Sequence, residues 1–269
     1  FLSFKDVDGL TFESAYEMLS ATITDLYKKH LYLLDSAQIN AYDKEIMRQI
    51  IEGRASVTEI KKSLALLITA MRQHYGRQVI LLLDEYDVPV AKASSHGYYA
   101  QMVEVIKALM STTLKDNASL QFAVLTGCLK IAKESIFTGT NNFVSDTITS
   151  SHLNEYFGFT QKDVDSLLEV MQAAEQAENV RKWYDGYHFG EFDVYCPWDV
   201  MNYLRDLQRD DKAKPASYWK NTSDNAIIRS FIDYAGSSIT RKLEILMSGG
   251  YITQKIEENL TYDYLHASE

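Results

Sequence analysis

The sequence predicts an α/β fold: a parallel sheet with crossover helices, followed by a mainly helical region. Three observations predict it. Val79-Ile80-Leu81-Leu82-Leu83 is a continuous apolar run bounded by polar sequence, the pattern of a strand buried on both faces. Leu120 to Thr126 is a second such run. Helical periodicities fill the stretches before and between them, the alternation that builds a parallel sheet with crossover helices, and after about residue 150 the pattern changes.

The elements follow in order. Phe1 to Lys5 reads as a short strand. Phe12, Ala15, Leu19, Ile23, Leu26 and Leu33 recur near helical spacing and predict a helix from about Thr11 to Leu34. Ala41 to Ile51 reads as a second helix. Ser56-Val57-Thr58-Glu59 is a capping box, in which the Ser56 hydroxyl accepts from the third helical N–H and Glu59 reaches back to the cap. The helix it opens runs to about His74 and ends at Gly76, before the Val79 strand. Tyr99 to Leu114 is a helix with Met102, Val105, Ile106 and Leu109 inward, and it leads to the Leu120 strand. Beyond, Thr160-Gln161-Lys162-Asp163 caps a helix reaching about Gln176, and a second helical stretch spans roughly Asn179 to Tyr184. Aromatics crowd from Trp183 to Phe189 and again in Tyr195 and Trp198; Tyr184, Tyr187, Phe189, Tyr195 and Trp198 could stack a base, but so dense a cluster reads first as packing between two subdomains. Pro197 suits the first position of a helix through Leu207, and short helices continue to about Met247. The natural division is a core over residues 1–155 and a helical part over 156–269.

Composition excludes several classes of function. The chain of 269 residues, 46% hydrophobic and 24% charged, reads as an ordinary globular protein with one large or two modest domains. A net charge of −10 argues against a broad nucleic-acid surface, though a local basic patch stays open. Cys128 and Cys196 form neither metal spacing nor a disulfide framework, which suits a reducing cytoplasm. No apolar run approaches the roughly 18 residues that span a bilayer, so no membrane partner is expected. The abrupt start at Phe1 predicts that the natural N-terminus lies upstream.

The chemistry-bearing residues cluster where the predicted strands end. Asp84 and Glu85 close the first buried strand, at the C-terminal edge where open α/β sheets place their ligands. In P-loop ATPases this edge carries a pair of acids, one holding Mg²⁺ through water and one polarising the attacking water. A small hard cation and a base need two oxygen groups side by side. The same pair could instead cap the following turn. Asp87 either adds a carboxylate to a metal site or fixes its own turn. Thr126 ends the next strand; its hydroxyl can donate and accept, which suits a γ-phosphate sensor and equally a strand terminator bonding its own turn. Lys130, Lys133, Arg181 and Lys182 are candidates for an anionic ligand, and each also reads as a solvated surface base. His188 reads as a packed or turn histidine, with no second ligand at metal spacing. A GxxxxGK[ST] phosphate loop, whose backbone N–H groups wrap phosphates, is nowhere in the chain.

Three segments carry a resemblance to a known family: Val79-Ile-Leu-Leu-Leu-Asp-Glu-Tyr-Asp-Val-Pro-Val90, Phe122-Ala-Val-Leu-Thr-Gly127 with Lys130 to Phe137, and Lys182-Trp-Tyr-Asp-Gly-Tyr-His-Phe-Gly190 with Val194 to Trp198. Their order along the chain resembles the bacterial AAA-ATPase-like family. The resemblance implies a P-loop ATPase core, then a helical lid and winged-helix-like region, often followed by a restriction-endonuclease-like domain. It implies ATP and Mg²⁺ as cofactors, Asp84 as the Mg²⁺-coordinating acid acting through water, Glu85 as the catalytic acid and Thr126 at the sensor position. The phosphate loop expected just upstream of Phe1 is missing, so Mg-ATP binding and hydrolysis as a switch are expected of the full-length protein and not of this chain alone. The competing expectations are a non-hydrolysing scaffold and a DNA-handling partner of a linked nuclease, the latter resting on a winged-helix-like end around Arg241 to Ile256. Self-association stays open, with Arg229 and Arg241 as candidate arginine fingers.

Overall fold

Parallel pairing of three strands organises the first half of the chain. The structure is a computed structural model describing residues 1–128, 143–219 and 236–253. Contacts divide the chain into two units, Phe1–Phe143 with Gly250–Glu269, and Val144–Gly249.

In the first unit, β1 (Leu2–Ser3), β2 (Val79–Asp84) and β3 (Leu120–Leu125) form a parallel sheet in that order. Leu2 pairs with Leu83, Ser3 with Asp84, and Leu83 with Leu125, so all three strands end at one edge. Five helices connect them: α1 (Phe12–Lys28), α2 (Ala41–Ile51) and α3 (Val57–Tyr75) between β1 and β2, then α4 (Val88–His96) and α5 (Tyr99–Leu114) between β2 and β3. Their apolar faces meet in one core that includes Leu19, Ile23, Leu64, Leu83 and Met102. Tyr27 is fully buried there and donates its hydroxyl to the Ser63 carbonyl at 2.7 Å, which satisfies the one polar atom it carries inside.

Local signals place the helix ends. Both halves of the Ser56 capping box form: the Glu59 N–H donates to Ser56 Oγ at 3.3 Å and the Ser56 N–H to Glu59 Oε2 at 2.6 Å. Gly76 closes α3 with φ +67°, a conformation glycine adopts without the Cβ penalty. Ser56→Ala is expected to destabilise the protein by about 1 kcal/mol, a fall of roughly 2–4 °C in a thermal melt. The first helix is shorter than its periodicity predicts. α1 stops at Lys28, and a 3₁₀ turn over Leu31–Asp35 delivers Leu33 to the core, so Leu33 keeps its inward place without a continuous helix.

The expectation that both apolar runs are buried on two faces is corrected by the sheet. Leu81 and Leu83 are buried, but Ile80, Leu82, Phe122 and Val124 on the opposite face are 43–49% exposed. The cause is topological. The helices of both crossovers share one core, as expected where successive right-handed parallel crossovers advance in the same direction. Among the described residues the other side remains open.

The second unit is less helical than expected. β4 (Phe159–Thr160), β5 (Asp185–Phe189) and β6 (Phe192–Tyr195) form an antiparallel sheet in the order β4-β6-β5. Around it lie α6 (Gln161–Val170), α7 (Ala177–Tyr184), α8 (Pro197–Arg209) and α9 (Gly236–Met247). Thr160 caps α6 through both halves of its box, and Pro197 opens α8. The aromatic cluster divides. Tyr184 and Tyr195 are buried beside Tyr203 in this unit's own core, whereas Trp183, Tyr187 and Trp198 are about half exposed. Among the described residues no helix is long and apolar enough to cross a membrane. Residues 254–256 of the proposed winged-helix-like end lie outside the described residues, as does Arg229.

Candidate functional site

The common edge of β1, β2 and β3 gathers the acids. Asp84 is the last residue of β2, and its carbonyl accepts the Phe4 N–H at 3.0 Å, which ties it to β1. On the other side the Thr126 N–H donates to the Leu83 carbonyl at 2.9 Å, and the Tyr86 N–H to the Thr126 carbonyl at 3.1 Å. These backbone bonds place Thr126 beside Asp84 although 42 residues separate them, and the Thr126 hydroxyl donates to Asp84 Oδ1. The bond joins the two strand tips and leaves the second carboxylate oxygen of Asp84 available to other donors.

Glu85 breaks the strand. Its φ of 53° lies in the left-handed region, unusual for a residue with a long side chain and a form of strain concentrated at functional positions. Partial burial raises its carboxyl above the ordinary carboxylate value, and the negative charges of Asp84, Asp87 and Asp6 add to the effect, while the Lys5 ammonium opposes it. A carboxyl shifted in this direction holds its proton more tightly than an unperturbed glutamate.

Lys5 and Asp6 are the residues that sequence reasoning missed here. They lie just past β1, and the parallel register puts that tip beside the tip of β2. The signal was present, since the short Phe1 to Lys5 strand ends in them and parallel strands share one ligand edge.

Asp87 is 1% exposed; its carbonyl fixes the turn by accepting the Val90 and Ala91 N–H groups, while its side chain gives α4 no cap. Its carboxylate Oδ2 accepts the Cys128 N–H at 3.0 Å, across to the end of β3. Arg181 lies 3.9 Å from Asp185 on the surface of the second unit, and His188 pairs with Asp193 at 2.7 Å on the exposed β5–β6 hairpin, so both serve local surface geometry. Lys182 and Arg241 are exposed. Lys130 and Lys133 lie outside the described residues.

Among the described residues no group of three or more His, Cys, Asp and Glu could hold a metal ion by itself. Magnesium, however, usually keeps its waters and takes one or two carboxylates plus substrate phosphates, and the hard second oxygen of Asp84 is of the type that partial role requires.

The sequence model of the AAA-ATPase-like family, described as "Predicted AAA-ATPase", matches residues 1–137, a span containing every residue of the strand-tip cluster. A curated relative from Azotobacter chroococcum mcd 1, "Uncharacterized protein in vnfD 5'region", is 31% identical over 127 residues, which is 47% of this chain and 24% of that protein. The chain therefore spans about a quarter of the length of the curated relative it matches. No solved structure matches. Over half its length, and across the whole three-stranded sheet with its acidic edge, the chain belongs to the predicted AAA-ATPase-like family.

Proposed function

We propose that this chain carries the catalytic half of a Mg-ATP site, within a longer protein that uses ATP hydrolysis as a switch. One observation carries the reading: Asp84, Glu85 and Thr126, from two strands, converge at the ligand edge of a parallel sheet, with the Thr126 hydroxyl on the Asp84 carboxylate. Asp84 would hold the hydrated cation by its second oxygen. Glu85 would take the proton from the attacking water. Thr126 would orient Asp84 and present its oxygen toward the terminal phosphate. Magnesium bound there would neutralise charge developing on the phosphate oxygens.

The chain has no GxxxxGK[ST] segment, so the reading assigns the phosphate cradle to sequence outside these 269 residues. Free Cys128 and Cys196 support a cytoplasmic, reducing setting. The test is phosphate release by a version of the protein extended through the expected loop. Magnesium-dependent release, absent when Mg²⁺ is chelated, supports the reading. Tight nucleotide binding without turnover would make the protein a scaffold instead.

A further inference from the structure

Asp87 is a buried acid placed close to two others, and that arrangement needs a reason. It stands at the start of α4 yet gives that helix no side-chain cap; only its carbonyl serves α4, accepting the Val90 and Ala91 N–H groups at 3.0 and 2.9 Å. The side chain reaches the end of β3 instead. There Oδ2 accepts the Cys128 N–H, 41 residues away in sequence. Its other oxygen lies on the side of Gly127 where a side chain would stand. A Cβ at Gly127 would come within 2.5 Å of Asp87 Oδ1 and 2.8 Å of the Tyr86 ring, so the absence of a side chain at 127 lets the carboxylate close on the backbone.

The segment from Thr126 to Cys128 is thus held at three points. The Thr126 N–H bonds Leu83, the Thr126 carbonyl bonds the Tyr86 N–H, and the Cys128 N–H bonds the Asp87 carboxylate. The first two bonds extend the sheet ladder. The third is a bond from a backbone amide to a buried carboxylate, a pairing stronger than a neutral one. It falls just where the ladder ends, two residues past the hydroxyl that touches Asp84.

We propose that Asp87 is a positioning residue: its carboxylate clasps the Gly127–Cys128 turn and thereby sets the Thr126 hydroxyl against Asp84. The clasp itself is independent of nucleotide, and its catalytic consequence rests on the ATPase reading above. A clasp explains why a third acid is kept beside Asp84 and Glu85 despite like-charge repulsion, since an apolar residue could fill the space but could not accept the amide.

Two readouts separate the clasp from a merely structural role. The first is amide hydrogen exchange on the 269-residue chain without nucleotide. Asp87→Ala is expected to speed exchange of the Cys128 amide and its neighbours about tenfold or more, as loss of a bond to a charged acceptor predicts, while the α1 to α3 amides stay as in the wild type. Asp87→Asn, which keeps an acceptor oxygen, should stay within about threefold of the wild type. Gly127→Ala, which pushes the carboxylate away from the other side, should reproduce the local loosening and keeps the test usable if Asp87→Ala does not fold. An unchanged Cys128 amide, or a rise spread evenly over the helices, would overturn the clasp. The second readout is turnover in the longer protein, where Asp87→Ala should lower kcat at unchanged KM and Asp87→Asn should restore most of it. If wild-type protein shows no turnover, the ATPase reading fails, and the exchange result alone decides the clasp.

Discussion

Glu85→Gln is expected to lower Mg-dependent ATP turnover by about 10²- to 10⁴-fold, the usual contribution of a positioned general base. Nucleotide affinity should hardly change, because the amide keeps the shape and the cation contact rests on Asp84. Phosphate-release kinetics read the first effect and calorimetry the second. The same substitution should stabilise the fold at neutral pH. Glu85 is raised in the folded state, by burial first and by Asp84 and Asp87 next. Between its unfolded and folded pKa the folded state holds the proton that the unfolded state has lost, so stability falls as pH rises through that window. Glutamine carries no such cost. The melting temperature of Glu85→Gln should therefore exceed the wild type at pH 7 and match it below the ordinary carboxylate pKa. A variant that lost turnover and stability together at pH 7 would identify Glu85 as a structural acid.

Leu83→Ala should cost about 3 kcal/mol and lower the melting temperature by roughly 6–12 °C. Leu83 is 1% exposed and sits in the central strand between Leu2 and Leu125, so truncation leaves a cavity that two neighbouring strands and the helices behind them cannot fill. Leu82→Ala is the control. One residue away, Leu82 points to the open face and is 43% exposed, and its loss should fall within about 1 kcal/mol of the wild type. Equal effects from the two would mean that the open face is covered as tightly as the core.

Where the sequence spoke through local chemistry, it was legible. The Ser56 and Thr160 boxes, Gly76 and Pro197 mark helix ends because each acts on backbone within four residues of itself. The parallel sheet was legible from two apolar runs separated by helical periodicity. The open face was not, because an apolar run says that a strand has neighbours and not on which side they lie. The β5–β6 hairpin hid inside an aromatic cluster, where Tyr184 and Tyr195 are core residues and Tyr187 between them is half exposed. At the site, Asp84, Glu85 and Thr126 were legible as strand endings. The partner of Asp87 was not, since nothing near Asp87 in sequence reveals an amide on the next strand.

If the strand-tip acids form a Mg-nucleotide site, Asp84 must contribute to binding through the metal. Calorimetric titration of Mg-ATP into the loop-extended protein, wild type against Asp84→Ala, tests it most directly. Binding that Asp84→Ala weakens tenfold or more is expected, with the difference gone when Mg²⁺ is chelated. Equal affinity in both proteins, or no binding in the extended wild type, would contradict it.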